Sequence, residues 1–158
     1  MANTYLIKGE ELIAFGKELF EKAGMNKSDA EFHANALVQT NYWGIDSHGV
    51  IRIPAYFKRM VNGAVNVNPD IKKIRGEGSL EVLDADAAAG FIGGKAGMEH
   101  AIENAKKNGI AACGVINSNH FGAGALYARM AAEQGKIGIA MTNVKPLIVA
   151  PGASEPVT

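Results

Sequence analysis

The chain has 158 residues, of which 47% are hydrophobic, 20% charged and 7% aromatic. This is enough apolar material for one compact core, or for one domain and part of a second. Sixteen basic and sixteen acidic residues give a formal net charge of zero, so no overall attraction to nucleic acid or to an anionic membrane exists. The longest apolar runs fall far short of the roughly 20 residues that a membrane-spanning helix needs. We therefore predict a soluble protein that binds neither nucleic acid nor membrane.

The amino-terminal residues lack both the basic and the apolar segment of a secretory signal, which predicts a cytoplasmic protein. The single cysteine, Cys113, excludes an internal disulfide and fits a reducing compartment. Its apolar neighbours predict a buried strand in which the cysteine serves as a small hydrophobic residue.

Three stretches with helical periodicity precede residue 70. The first covers residues 10–23. The second follows a predicted capping box formed by Ser28 and Glu31 and covers residues 28–42. The third begins near residue 50 and ends before an Asn-Gly pair at residues 62 and 63.

The pattern changes after residue 69. Short β-like runs then alternate with helical stretches, at lengths that predict an α/β layer with some parallel strand pairing. The predicted elements are strands at 71–74 and 80–83, a helix at 90–108, a strand at 110–116, a helix at 123–134, and strands at 137–142 and 147–151. We thus expect a helical amino-terminal segment, residues 1–69, and a partial α/β domain, residues 70–158. No helix follows the last strand to cover the sheet, so this domain is expected to continue beyond the chain.

Two glycine-rich stretches fail the templates for phosphate-binding loops. In residues 90–96 the spacing before the Gly-Lys pair is wrong for a P-loop, and an alanine replaces the magnesium-binding hydroxyl. The stretch around Gly122 lacks the third glycine of a Rossmann fingerprint. No histidine spacing predicts a metal site, and no GxSxG motif predicts a serine hydrolase.

The first polar loop runs Asp46-Ser47-His48-Gly49, between two predicted helices. Arg52 and Tyr56 follow it four residues apart, so they share one helix face near His48. This face could present three groups to a ligand: the Arg52 cation, which suits a carboxylate, the Tyr56 phenol and the His48 imidazole. The alternative is a capping loop in which Arg52 is solvated.

The second polar loop covers residues 117–122 and contains His120. It follows a predicted strand, and ligands of open α/β sheets bind at the carboxyl ends of strands. An imidazole there can exchange a proton near neutral pH. The alternative is a turn in which His120 only fills a position.

Lys145 could add charge near the end of a later strand or be solvated, and His33 and His100 are expected to be structural or exposed.

Three segments, GIDSHGVIRIPAYFKRM, GMEHAIENAKKNGIAACGVINSNHFGAGALYARMA and IGIAMTNVKPLIVAPGA, closely resemble the malate/L-lactate dehydrogenase family of NAD(P)-dependent oxidoreductases. This family includes ureidoglycolate, sulfolactate and 2,3-diketogulonate enzymes, and its members are far longer than this chain. The resemblance runs in order over almost the whole sequence. It implies a non-Rossmann α/β fold with a mixed sheet and covering helices.

The resemblance also implies reversible hydride transfer between the nicotinamide of NAD or NADP and a small 2-hydroxy acid. His120 inherits the proton-transfer role, and substrate contacts pass to the other matching residues, Ser47, His48, Arg52 and Tyr56. His120, Val144 and Lys145 inherit cofactor contacts, although Val144 replaces a small hydroxyl residue, so only its backbone could still bind. A homodimer is implied as well. The alternatives are a truncated non-catalytic binding or assembly module, or a small-molecule sensor.

Overall fold

The computed structural model describes residues 6–143 and 149–156. These residues form five α-helices and one three-stranded sheet, which confirms the predicted α/β class. The helices are α1 (Gly9–Lys22), α2 (Lys27–Tyr42), α3 (Ile53–Val61), α4 (Gly90–Asn108) and α5 (Ala125–Ala132). The strands are β1 (Lys72–Glu77), β2 (Leu80–Ala88) and β3 (Ala112–Ser118). Within the described ranges, no helix combines the length and the apolar character needed to cross a membrane.

Helix α2 begins one residue earlier than predicted, and the predicted capping box is wrong. Asn26, not Ser28, precedes the first turn, and its side-chain oxygen accepts a hydrogen bond from the Asp29 N–H at 3.0 Å. Asparagine is among the best residues at this position because its short side chain satisfies an otherwise unpaired amide.

The third predicted helix is divided into shorter pieces. Two 3₁₀ turns, Asp46–His48 and Val50–Arg52, lead into α3, which begins only at Ile53. Pro54 lies in the first turn of α3, where the absence of its amide hydrogen leaves no helical bond unmade. The tighter turns keep the polar loop short and close to α3.

The sheet has the order β1-β2-β3 and contains the predicted parallel pair. Strands β1 and β2 form an antiparallel hairpin, whereas β2 and β3 run parallel and are connected through α4. Near the end of β2 the register shifts between Asp84 and Ala88. Asp86 and Ala87 there have positive φ angles of 51° and 56°, a conformation that side chains rarely adopt. The bend directs the chain into α4.

Strand β3 is not buried as predicted, because only alternate residues turn towards α4 and the opposite face is largely exposed among the described residues. Cys113 is half-buried, and burial together with the charge of Glu81 raises the pKa of its thiol to about 11. The thiol therefore stays protonated near neutral pH and is a poor nucleophile.

Glu81 is the one buried acidic side chain among the described residues. It accepts hydrogen bonds from Lys73 on β1 and from His100 on α4, each at 3.0 Å. The bonds from His100 and then Lys73 lower the pKa of Glu81 to about 2. The structural role predicted for His100 is therefore to tie α4 to the sheet.

The predicted strand at 137–142 is wrong, because these residues form no ladder with any other described part of the chain. Gly138 instead lies against the backbone of Ala128 in α5. The side chains of Ile137, Ile139 and Met141 are exposed. Of the last predicted strand, residues 147 and 148 lie outside the described residues, and Val149 makes only an isolated bridge with Pro156.

One hydrophobic cluster connects the amino-terminal helices to the α/β part. It includes Phe20 and Leu37 from the first two helices, Phe91 from α4 and Tyr127 from α5, all of which are fully buried. Burying large aromatic side chains supplies much of the stability of such a core. The division into two domains at residue 70 stays a prediction.

Candidate active site

The loop between α2 and α3 is fixed by a side chain of α2. The amide of Asn41 donates to the Asp46 carboxylate at 2.5 Å, and its oxygen accepts a hydrogen bond from the Val50 N–H at 2.7 Å. Gly49 passes so close to this amide that a Cβ at that position would collide with it. The close approach therefore favours glycine at this position, and the Asn41 amide ties both ends of the loop together.

Within this loop, Ser47, His48 and Arg52 form a connected set. The Ser47 hydroxyl and His48 Nδ1 lie 2.9 Å apart. The Nε–H of Arg52 donates to the Ser47 carbonyl at 2.6 Å. Arg52 is thus held against the loop, and its terminal NH₂ groups bond to none of the described residues. They remain available to a carboxylate.

The second loop leaves the end of β3 and carries His120. The side-chain NH₂ of Asn119 donates to the carbonyls of Ala87 and Ala88, at 2.8 and 3.0 Å. On the other side, the backbone carbonyl of His120 lies directly against Gly90, where any Cβ would overlap it. The bend in β2 and the start of α4 therefore hold the His120 backbone in place.

The two loops meet at Tyr56. Its phenol oxygen lies 2.6 Å from His120 Nδ1, although the two residues are 64 positions apart in the sequence. The rings of His48 and His120 stack with centroids 5.4 Å apart and an interplanar angle of 23°. The structure therefore brings the predicted residues His120, His48, Tyr56 and Arg52, together with Ser47, into one cluster.

Burial and charge set the protonation of this pair. Burial raises the pKa of Tyr56 to about 12, so its phenol stays protonated. Burial, followed by the charges of His48, Arg52 and Arg59, lowers the pKa of His120 below its usual value. Near neutral pH the pair is thus a neutral phenol hydrogen-bonded to a neutral imidazole.

The neutral pair has two arrangements. When the Tyr56 hydroxyl donates to Nδ1 of His120, Nε2 carries the ring hydrogen and can donate to a carbonyl oxygen. When Nδ1–H donates to the phenol oxygen, Nε2 is unprotonated and can accept a proton from a hydroxyl. Tyr56 supports both states, as reversible proton transfer requires.

A narrow cleft lies behind the pair, with a volume of about 10 Å³, room for about one water molecule. Its lining includes His33, Arg59 and Asn119. The sequence analysis placed only Asn119 in a candidate loop and assigned a role to none of the three. His33 is 1% exposed, and neither of its ring nitrogens has a hydrogen-bond partner among the residues that the structure describes. Its ring stacks on Phe20 at 4.5 Å, and burial lowers its pKa to about 3.

Two of these three residues could have been found in the sequence. Arg59 follows Arg52 by seven residues and so recurs on the same helix face. Asn119 directly precedes His120. No sequence pattern indicated that His33 lines the cleft, because a histidine on an amphipathic helix is ordinarily half-exposed. Val144 and Lys145, to which cofactor contacts were assigned, lie outside the described residues.

Comparison with known proteins gives a consistent result. The chain is 41% identical over 153 residues to the malate dehydrogenase of Pyrococcus abyssi, covering 97% of the chain and 42% of that protein. It is 37% identical over 134 residues to the NAD(+) ureidoglycolate dehydrogenase of Escherichia coli O157:H7, covering 85% of the chain and 38% of that protein. The solved structure of malate dehydrogenase from Pyrococcus horikoshii OT3 superposes with a TM-score of 0.88 at 36% identity, covering 96% of this chain and 45% of that one.

The chain thus spans about two fifths of the length of the curated relatives it matches. The sequence profile described as malate/L-lactate dehydrogenase matches residues 7–158, which is nearly the whole chain. The chain belongs to the malate/L-lactate dehydrogenase family.

Proposed function

We propose that this chain is the amino-terminal part of an NAD(P)-dependent oxidoreductase that transfers a hydride between nicotinamide and a small 2-hydroxy acid or 2-oxo acid. The observation that carries the proposal is the hydrogen bond between His120 and Tyr56, with His48 and Arg52 beside it. Family membership supports it, as does the similarity to an enzyme whose name specifies NAD(+).

In this proposal Arg52 binds the substrate carboxylate. Because its Nε–H already bonds to the loop, Arg52 loses little conformational entropy when its terminal NH₂ groups bind the substrate. Arginine suits this role because its N–H groups match the two oxygens of a carboxylate. A fixed carboxylate fixes the position of the neighbouring carbon that reacts. Ser47 and His48 complete the substrate contacts.

His120 exchanges the proton of the substrate hydroxyl. During oxidation Nε2 accepts this proton while the C–H hydrogen leaves as hydride. During reduction the imidazolium returns a proton to the oxygen as it gains negative charge. The lowered pKa of His120 makes it a stronger acid when protonated and keeps it neutral, ready to act as a base, near neutral pH.

Access to His120 supports the binding of a substrate and a nicotinamide ring beside it. His120 is exposed, and its Nε2 bonds to none of the described residues, so both molecules can approach it. When bound, the nicotinamide supplies the hydride acceptor and donor. We further propose that Val144, through its backbone, and Lys145 contact this cofactor, and that the enzyme is a cytoplasmic homodimer.

The test is nicotinamide absorbance in the longest reading frame that contains this chain. NADH and NADPH are assayed in parallel with a panel of 2-oxo acids, and dinucleotide binding is measured by fluorescence. We expect oxidation of at least one cofactor by at least one acid. A folded protein that neither binds a dinucleotide nor turns over any acid would overturn the proposal and favour a non-catalytic binding module.

A further inference from the structure

The non-glycine residues with positive φ angles in the described part of the chain all lie around Asp84. They are Asp86 and Ala87 at the bend of β2, with φ angles of 51° and 56°, and Asn117 near the end of β3, with a φ angle of 50°. Asp84 pairs in register with Ile116, the residue before Asn117. Such backbone conformations cost free energy and persist only where the surrounding contacts enforce them. Contacts around Asp84 must therefore stabilise the bend.

One carboxylate oxygen of Asp84 joins the two strands. Its Oδ1 accepts a hydrogen bond from the Asp86 N–H at 2.8 Å and another from the Asn117 side-chain NH₂ at 3.0 Å. The bond from Asp86, followed by that from Asn117, lowers the pKa of the Asp84 carboxyl, which is therefore ionised near neutral pH. Hydrogen bonds to a charged acceptor are stronger than those between neutral groups. Asp84 thus ties the bend in β2 to the residue at which the chain turns towards His120.

The bend presents two backbone carbonyls to the loop that carries His120. The Ala87 carbonyl accepts a hydrogen bond from the Asn119 side chain at 2.8 Å. The Ala88 carbonyl accepts one from the same side chain at 3.0 Å and one from the Asn119 N–H at 3.2 Å. Three hydrogen bonds to two consecutive carbonyls therefore hold Asn119, and His120 is the next residue. A rotation of the peptide planes at the bend would move these carbonyls and, with them, the imidazole.

The second acid of the bend, Asp86, makes different contacts. Its Oδ2 accepts hydrogen bonds from the Asn66 side chain at 2.8 Å and from the Asp70 N–H at 3.0 Å. Both partners lie in the segment between α3 and β1 and not in the loop of His120. Asp84, whose bonds reach both β2 and β3, is therefore the acid that connects the bend to the loop.

We propose that Asp84 is a positioning residue for proton transfer: its carboxylate fixes the left-handed bend of β2 against the end of β3, and the bend holds the His120 imidazole beside Tyr56. Asp84 acts through the backbone and touches neither substrate nor cofactor. Position matters because a displacement of about 1 Å can lower the rate of a reaction by about 100-fold. This inference rests on the proposed function, since it names what positions the proton-transfer group.

The experiment compares Asp84→Ala with Asp84→Asn in the longest reading frame that contains the chain. Alanine removes the acceptor, whereas asparagine keeps a neutral oxygen for both donors. The matched control is Glu77→Ala, which removes an exposed carboxylate of β1 that bonds to none of the described residues. The constants kcat and KM are measured for a 2-oxo acid that the unmodified protein reduces. NMR follows the pH titration of the His120 imidazole, identified by the loss of its signal in His120→Ala, and does not need turnover.

We expect Asp84→Ala to lower kcat about tenfold, as for a displacement of about half an ångström, and to change KM less than about threefold. Asp84→Asn and Glu77→Ala should keep kcat within about threefold of the unmodified value. In Asp84→Ala the pKa of His120 should also rise towards its usual value, because the displaced imidazole loses burial and the neighbouring charges that lower it. A residue that only contributes to overall stability would change the melting temperature without this pKa shift.

A folded Asp84→Ala variant with unchanged kcat and an unchanged His120 pKa would overturn the inference, as would an equal loss in Asp84→Asn or Glu77→Ala. If Asp84→Ala does not fold, Asn117→Gly takes its place, because glycine adopts the positive φ without strain and lacks the bond to Asp84. The same fall in kcat and rise in pKa are then expected, and their absence would count equally against the inference. If the unmodified protein reduces no acid, the proposed function fails, and the NMR titration still decides whether Asp84 positions His120.

Discussion

Replacement of Tyr56 by phenylalanine tests how the two loops cooperate. The phenol is 8% exposed and packs at 5.3 Å from the His33 ring, so phenylalanine fills the same space and leaves no large void. What is lost is the 2.6 Å bond to His120 Nδ1. A hydrogen bond to a group that becomes charged contributes about 1.5 to 3 kcal/mol. Each 1.36 kcal/mol corresponds to roughly tenfold in rate.

Because the contact between Tyr56 and His120 is only partly buried, water replaces part of the lost bond, and we expect kcat to fall by about tenfold, the lower end of that range. The KM for the 2-oxo acid should change less than about twofold, because Arg52 still binds the carboxylate. Stability should fall by no more than about 1 kcal/mol. Steady-state kinetics at saturating cofactor measure both constants. The matched control is Tyr42→Phe, which removes a phenol that is 68% exposed and outside the hydrogen bond to His120.

An unchanged kcat in Tyr56→Phe, or a raised KM with kcat constant, would refute the reasoning. The first result would mean that His120 does not need its partner. The second would mean that Tyr56 acts in substrate binding only. A similar fall in the Tyr42→Phe control would attribute the effect to general damage.

Three further outcomes follow from the site. Burial lowers the pKa of His33 to about 3 from 6.5, so the unfolded chain binds one more proton than the folded chain between these pH values. The free energy of unfolding therefore does not depend on this group above about pH 6.5, and it falls by roughly 1.4 kcal/mol per pH unit below that value. His33→Phe should remove this slope in urea titrations between about pH 7 and about pH 4, and an unchanged slope would contradict the assignment. Gly90→Ala should cost about 2 kcal/mol or more and most of the turnover, because the new methyl overlaps the His120 carbonyl; a variant with normal melting temperature and kcat would be inconsistent with this packing. Arg52→Lys should raise KM about tenfold with little change in kcat, because lysine keeps the charge but not the paired donors; a lower kcat at constant KM would be the opposite of what we expect.

The helices were the most predictable part of the fold. Helix α4 has the predicted bounds, and α1 begins one residue before the predicted start, because a long amphipathic repeat determines a helix largely on its own. The start of α2 was missed, since the Asn26 cap competes with an equally plausible Ser-x-x-Glu pattern. The strand predicted at 137–142 failed for a different reason. Alternating apolar residues show that a segment can be extended, whereas a strand also needs a paired neighbour.

The candidate site was predictable loop by loop and not as an assembly. Local spacing placed Arg52 and Tyr56 near the first polar loop, residues 46–49, and strand order placed His120 at the end of β3. The 2.6 Å contact between Tyr56 and His120 depends on how α3 packs against that loop across 64 residues, and no local pattern encodes it. The family resemblance assigned roles to these residues, and the structure adds the hydrogen bonds that connect them.

The most direct test of the central claim is turnover by His120→Ala. Once an acid and a cofactor have been identified, nicotinamide absorbance is followed for the variant and the unmodified protein under the same conditions. We predict a loss of at least about 100-fold in kcat, since general acid and base catalysis contributes typically 10²- to 10⁴-fold. A variant that binds the cofactor and keeps the unmodified kcat would contradict the assignment of proton transfer to His120.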